Sequence, residues 1–232
     1  MMHQSINKNK LYLYLLFLIF LSSIFNFKIL ENYKDYFSIK KININGLPYN
    51  EKKIIEDELN NLKNKNIFKL DEEIILEKLH KFNFLEKTYV NKVMPSSIII
   101  NLKKTSILGK TWRDGKSFYI GQNGKFINSD QIFEKNITTS IFGDFNISDF
   151  LNLQKILKNL QIENNKIEKY FYYENKRWDI LFFNGLTLKL PSKNIENSVK
   201  IYKQLFDNDN LVNKKIVDLR VPNQIILTNN NE

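Results

Sequence analysis

One uncharged apolar run, residues 11–27, stands near the head of the chain. Beyond it, apolar positions recur either every second residue or every third and fourth. The run, LYLYLLFLIFLSSIFNF, sits at the short end of what spans a bilayer as a helix. Lys28 snorkels and lets Ile29 and Leu30 extend it, so the predicted transmembrane helix covers residues 11–30. Lys8 and Lys10 precede it and the first acidic residue is Glu31, which makes residues 1–10 a cytoplasmic tail by the positive-inside rule. Tyr12, Tyr14, Tyr33 and Tyr36 flank the span as interfacial aromatics. The following FNFKILENY offers no small-residue cleavage site, so a signal anchor is preferred over its rivals, a cleaved signal peptide or a buried core helix. The remaining chain then lies outside the cytoplasm.

Residues 36–104 read as a first domain of β-α-α-β-β order. In residues 37–45, Ile42 and Ile44 alternate with Lys41 and Asn43, and Gly46-Leu47-Pro48 ends the strand. Asn50 is the predicted cap of a helix with Ile54, Ile55, Leu59 and Leu62 along one stripe. Asp71 caps a second helix with Ile75, Leu79 and Phe82 inward. Strands 86–94 and 98–103 follow, with Pro95-Ser96-Ser97 turning between them and Ile98, Ile100 and Leu102 on one side.

Residues 105–228 read as a twisted antiparallel β-sheet domain with two helices. Asp114-Gly115, Asn123-Gly124 and Asn184-Gly185 are hairpin signals. Ser148 caps a helix over 149–160 with Phe150, Leu153, Ile156, Leu157 and Leu160 buried. Three strands occupy 166–191, and Asn194 starts a helix with Ile195, Val199, Tyr202 and Phe206 on one face. The last strand covers 216–228 with a bend at Pro222, before a polar tail, 229–232. The predicted class is α+β.

Composition removes several chemistries. There is no cysteine, hence no disulfide and no thiolate metal site. His3 and His80 are the only histidines, too few for a triad or a His-rich metal site. Gly109-Lys110-Thr111 spells the end of a phosphate loop, but Lys104 stands where that loop needs glycine. The carboxylates Asp71, Glu72 and Glu73 sit where a helix N-terminus favours negative charge. The net charge of +10 is diffuse once Lys8, Lys10 and Lys28 are set aside, so nucleic acid is not an expected partner. Trp112 and Trp178 are expected in the core. No enzyme site and no cofactor site emerges.

Three segments taken in order carry a resemblance: FSIKKININGLPYNEKKIIEDEL, NIFKLDEEIILEKL and FNFLEKTYVNKVMPSSIIINL. They resemble the POTRA domain of the FtsQ/DivIB family of bacterial division proteins. RWDILFFNGLTLKL and VDLRVP resemble that family's second domain. The chain departs from the pattern at KKTSILGKTW, which lacks an acidic residue and a proline, and at Gly121-Gln122-Asn123-Gly124, which lacks an aspartate.

From the residues alone, 224–228 either offers an edge to an extended partner or completes the sheet from inside. The resemblance implies the former: a division scaffold of the inner membrane that recruits FtsB- and FtsL-like proteins, FtsB adding a strand to the last strand. Carried over by position, the implied contact residues are Asp218, Arg220, Val221, Gln224, Ile225, Ile226 and Leu227, with Arg177 nearby. Arg220 and Arg177 are expected to grip partner carboxylates through two parallel hydrogen bonds. A second contact is expected on the POTRA module, at strand 37–45 or 98–103. A POTRA-type chaperone or export component is the alternative, although such proteins usually carry several POTRA repeats and a barrel.

Overall fold

The computed structural model describes residues 8–24, 35–133, 137–208, 211 and 213–229. Helix α1 (Lys8–Ile24) takes up most of the uncharged run in 17 residues, roughly 26 Å at 1.5 Å per residue. Among the described residues no helix is long and apolar enough to cross a membrane. The rest of the expected span, residues 25–30, lies outside the described residues, as do 1–7 and 230–232.

β1 (Lys41–Asn45), α2 (Tyr49–Leu59), α3 (Glu72–His80), β2 (Leu85–Val93) and β3 (Ser97–Lys104) follow in the expected order. The three strands form a sheet in the order β1-β3-β2. Ile55, Leu59, Ile75 and Leu79 bury one face of the two helices against Ile44, Ile98, Ile100 and Leu102. β1 is shorter than expected. The amide of Ile39 donates to Lys65 O and that of Ile67 to Phe37 O, so residues 37–39 pair with the inter-helix link instead of the sheet. α2 begins before Asn50, with Pro48 at its cap position, and Asp71 holds the cap position of α3 without a side-chain hydrogen bond. Gly46 is required where β1 ends: its φ is +87° and a Cβ there would stand 1.9 Å from Leu102 O. Glu51, an apparent first-turn surface acid, is only 2% exposed. It is ion-paired with Lys104 at 2.8 Å.

The second sheet contains β4 (Ile107–Arg113), β5 (Lys116–Gly121), β6 (Phe126–Asn128), β7 (Ser140–Phe142), β8 (Ile167–Tyr172), β9 (Trp178–Phe182), β10 (Thr187–Lys189), β11 (Lys214–Asp218) and β12 (Ile226–Asn229). Their order is β12-β11-β10-β9-β8-β7-β4-β5-β6. The sheet is mixed, not antiparallel as expected: β4–β7, β7–β8 and β10–β11 are parallel pairs. Helix α4 (Ile147–Asn159) connects β7 to β8, and α5 (Ile195–Asp207) connects β10 to β11. A strand that returns through a helix laid on the sheet must run parallel to the one it left. Asn146, not Ser148, caps α4, its Oδ1 accepting from Ser148 N at 3.0 Å.

Both helices pack on one face of the sheet. Phe150, Leu153, Leu157, Val199 and Tyr202 meet Ile141, Trp178, Ile180, Leu188 and Val217 there. Trp178 is 1% exposed, as expected of a core residue, whereas Trp112 is 45% exposed. The alternation of β4 gives the inward position to Thr111, which is buried, and so turns Trp112 outward. Phe206, expected on the buried face of α5, is 46% exposed.

The two sheets share a junction. Ile127 of β6 and Ile132 lie in the core of the first sheet. Asn123 Nδ2 donates to Asn83 O at 2.9 Å and to Leu85 O at 3.1 Å, while Asn123 N donates to Thr105 Oγ1 at 3.1 Å. The Asn123-Gly124 turn therefore joins the sheets as well as reversing the chain. Asn123→Ala strips two carbonyls of their donor and is expected to cost about 2 kcal/mol, read as a lowered urea midpoint.

Candidate partner-binding edge

The end of the chain is not one bent strand over 216–228. β11 and β12 pair antiparallel, with Asp218 opposite Ile226, Val217 opposite Leu227 and Ile216 opposite Thr228. Pro222 lies in the loop that reverses the direction, where Asn223 takes a φ of +60° and Gln224 N donates to Val221 O. The proline cannot donate a ladder hydrogen bond, so the strand breaks there. β12 ends the sheet order, so among the described residues no strand pairs with its outer side.

Along this edge Val221, Ile225 and Ile226 are 43%, 47% and 46% exposed. Gln224 is exposed, and Leu227 is half-buried against the main core. A hollow of about 330 Å³ opens beside them, between the start of α5 and the loop, with Ile201, Leu219, Val221 and Ile225 among its walls. The edge is thus short, apolar and next to a concavity. A partner strand needs those features for main-chain pairing with side-chain anchoring.

Asp218 and Arg220 have a different place from the one expected. Asp218 is 8% exposed. Arg220 Nε donates to its Oδ1 at 2.8 Å and its Oδ2 at 2.9 Å, Nη2 donates to Oδ2 as well, and Arg220 N donates to Oδ1 at 3.0 Å. The guanidinium fork is therefore spent inside the chain, clamping the start of the loop. This grip holds the Asp218 carboxyl below the usual carboxylate range, against the opposing effect of burial. A depressed value means that the stability Asp218 contributes is present above the ordinary carboxylate range and is lost as pH falls through the depressed value. Arg220→Lys keeps the charge but loses the fork. The Asp218 carboxyl of that variant is expected to titrate closer to its ordinary value in a carbon-13 NMR titration.

Arg177 stands three strands away, before β9, with its guanidinium 4.8 Å from the Tyr173 ring centroid. Cross-strand register links it to the edge. Asp179 lies opposite Lys189, Lys189 beside Asp218, and Asp218 opposite Ile226. Asp179, not singled out in the sequence, is 5% exposed. Burial raises its carboxyl above the ordinary range, while Arg177, Lys189 and Arg220 pull the other way. Asp179 Oδ1 and Arg177 Nε are both buried without a hydrogen-bond partner. Alternation with the buried Trp178 was the one sequence signal that Asp179 faces the other side of the sheet. The structure therefore gathers Val221, Gln224, Ile225, Ile226 and Leu227 at the edge, puts Asp218 and Arg220 behind them as a brace, and leaves Arg177 at the far end of the charged row.

The first sheet changes the second expected contact. β3 is its central strand, and residues 98–101 are paired on both sides, so that stretch offers no edge. Its edges are β1 and β2.

Comparison with known proteins places both sheets. A family model described as POTRA domain, FtsQ-type, matches residues 37–104, and one described as Cell division protein FtsQ/DivIB, C-terminal, matches residues 111–220. The chain belongs to the FtsQ/DivIB family. It is 26% identical over 195 residues to the cell division protein FtsQ of Rickettsia bellii, covering 81% of this chain and 71% of that protein. The FtsQ of Rickettsia typhi is 26% identical over 191 residues, with the same shares. That of Bradyrhizobium diazoefficiens is 22% identical over 163 residues, 68% of this chain and 47% of that protein. The C-terminal match of this FtsQ/DivIB member ends at Arg220, so β12 lies beyond the matched residues. As a member of this family, the chain is a cell division protein.

Proposed function

We propose that this FtsQ/DivIB member is a non-catalytic scaffold of the division machinery, anchored in the inner membrane by residues 11–30 with its N-terminus in the cytoplasm. Its soluble part, read as two domains over 36–104 and 105–228, faces the periplasm. It recruits FtsB- and FtsL-like proteins, and an FtsB-like chain adds a strand to β12. The observation that carries this reading is the edge itself: β12 ends a nine-stranded sheet, with Ile225 and Ile226 about half exposed. Arg177 is the arginine left to meet a partner carboxylate, because Asp218 occupies Arg220. A further partner meets the POTRA module at β1 or β2.

The test is a titration of the full chain in detergent micelles with the ectodomain of the host's FtsB-like protein. Saturable binding that Ile226→Glu weakens at least about tenfold supports the reading, since a charge on an edge strand discourages pairing. Binding untouched by Ile226→Glu and by truncation after Val221 sinks it. Depletion in cells separates the alternative: unsplit filaments accompany loss of a division scaffold, and loss of outer-membrane proteins accompanies loss of an export component.

A further inference from the structure

We propose that the aromatic cluster at the start of the first domain, Tyr36, Phe37 and Phe68 with the lysines around it, docks on the anionic phospholipid surface of the membrane that holds the anchor. This rests on the reading of residues 11–30 as a membrane span. Pairing of two segments builds the cluster. An antiparallel bridge joins Ser38 to Asn66, and Ile67 N donates to Phe37 O at 2.9 Å. Tyr36 meets Phe37 edge-on at 5.2 Å between ring centroids, and Phe37 meets Phe68 at 5.0 Å. Phe37 is half-buried against the core of the first sheet. Tyr36 and Phe68, by contrast, are 55% and 60% exposed. Asn66 Oδ1 accepts from Phe68 N at 2.9 Å, so the turn that presents this ring is itself held. A phenylalanine so placed adds little to the core, and adjoining exposed rings mark a surface that binds.

Reach, charge and ring chemistry say what covers it. The proposed span ends at Leu30, five residues before Asp35. Five residues reach at most about 18 Å when fully extended, and the headgroup layer takes up roughly 5–8 Å of that. Whatever path they follow, the cluster stays close to the bilayer surface. The charge there is one-sided. Lys40, Lys63, Lys65 and Lys69 are exposed, and Asp35 is the only carboxylate within 35–40 and 63–70. None of these four lysines is ion-paired among the described residues. Asp71, Glu72 and Glu73 come next, at the N-terminus of α3, whose dipole offsets their charge. Rings at headgroup depth, with lysines extending to the phosphates, form an interfacial anchor. Each lysine within a Debye length of an anionic leaflet strengthens such a contact roughly fivefold. Once docked, the first domain no longer swings about its tether, and the height of the second sheet above the bilayer is set.

The test uses the full chain reconstituted in vesicles of phosphatidylcholine, alone or mixed with phosphatidylglycerol, with brominated acyl chains that quench tryptophan on contact. Phe68→Trp puts a reporter in the cluster, at an exposed position that does not threaten folding. The wild-type chain, with only Trp112 and Trp178, is the blank. In mixed vesicles the reporter is expected to be quenched beyond the blank. That extra quenching is expected to fall at least about twofold in phosphatidylcholine alone, at high salt, or when Lys63→Glu and Lys65→Glu are added. Quenching equal to the blank in mixed vesicles overturns the proposal. So does extra quenching that ignores lipid charge, salt and the lysine changes together. A blue-shifted but unquenched reporter whose shift grows with the protein-to-lipid ratio also overturns it, and assigns the cluster to a second copy. Extraction by alkaline carbonate separates the two readings. A chain stripped from the vesicles overturns the anchor and this proposal with it, whereas a chain that stays inserted with its reporter unquenched overturns the docking alone.

Discussion

A partner peptide N-methylated at one residue at a time is expected to lose affinity for the full chain with a period of two. The loss is about a hundredfold where the amide faces β12 and small at the positions between. Along an edge strand, outward N–H and C=O groups come from every second residue, and an added strand meets them with the same alternation. A methyl on a facing amide removes the donor and leaves a carbonyl of β12 desolvated, a loss of about 1–3 kcal/mol, or up to roughly a hundredfold, with the bulk of the methyl added. Docking by side chains alone shows no such period. The experiment leaves the protein unaltered, so it does not disturb the brace between Asp218 and Arg220, which together make four hydrogen bonds at the start of the loop. Ile226→Glu reads the same edge from the protein side, through a residue that is 46% exposed.

Trp178→Ala is expected to destabilise the chain by about 4 kcal/mol, the loss typical of a large aromatic removed from a packed core. The indole is 1% exposed. Its ring centroid lies 4.7 Å from Tyr172, 5.6 Å from Phe145 and 5.7 Å from Phe150. Those rings come from β8, from α4 and from the segment before it, so the cavity lies between sheet and helix, where neither side can collapse freely. Such a loss is a large share of the roughly 5–15 kcal/mol that holds a domain folded. Urea unfolding is expected to show a much lower midpoint with the slope unchanged. Trp112→Ala, at a position 45% exposed, is expected to cost only about 1 kcal/mol by the same measurement. Equal losses at the two tryptophans contradict the assignment of one to the core and the other to the open face.

Both tryptophans are expected in the core from the sequence, and only Trp178 is buried. The reason generalises to the whole chain. Element order, the apolar stripes of α2, α3 and α4 and the glycine turns depend on residues a few positions apart. A single sequence displays those directly. The family resemblance rests on the same short-range patterns, and the matches over residues 37–104 and 111–220 bear it out. The parallel pairs β7–β8 and β10–β11 were readable as well, since each helix sits between the strands it joins. The hairpin turns at Asp114-Gly115, Asn123-Gly124 and Asn184-Gly185 make only the pairs they join antiparallel.

Other features follow from partnership between distant segments, and no local pattern carries that. β3 became central, and so unable to capture a strand, because β1 returned beside it in parallel. Arg220 became a brace because the loop folds it back onto Asp218, a residue two positions away whose burial depends on β10 and β12 closing around β11. The charged row from Asp179 to Ile226 exists only once four strands are set in register. The residues alone determined which segments form strands and helices and which side chains want burial. Packing of α4 and α5 over one face decided which side of each strand in the second sheet turns inward, the first sheet covers part of the opposite face through Ile127, and β12 stands at the edge.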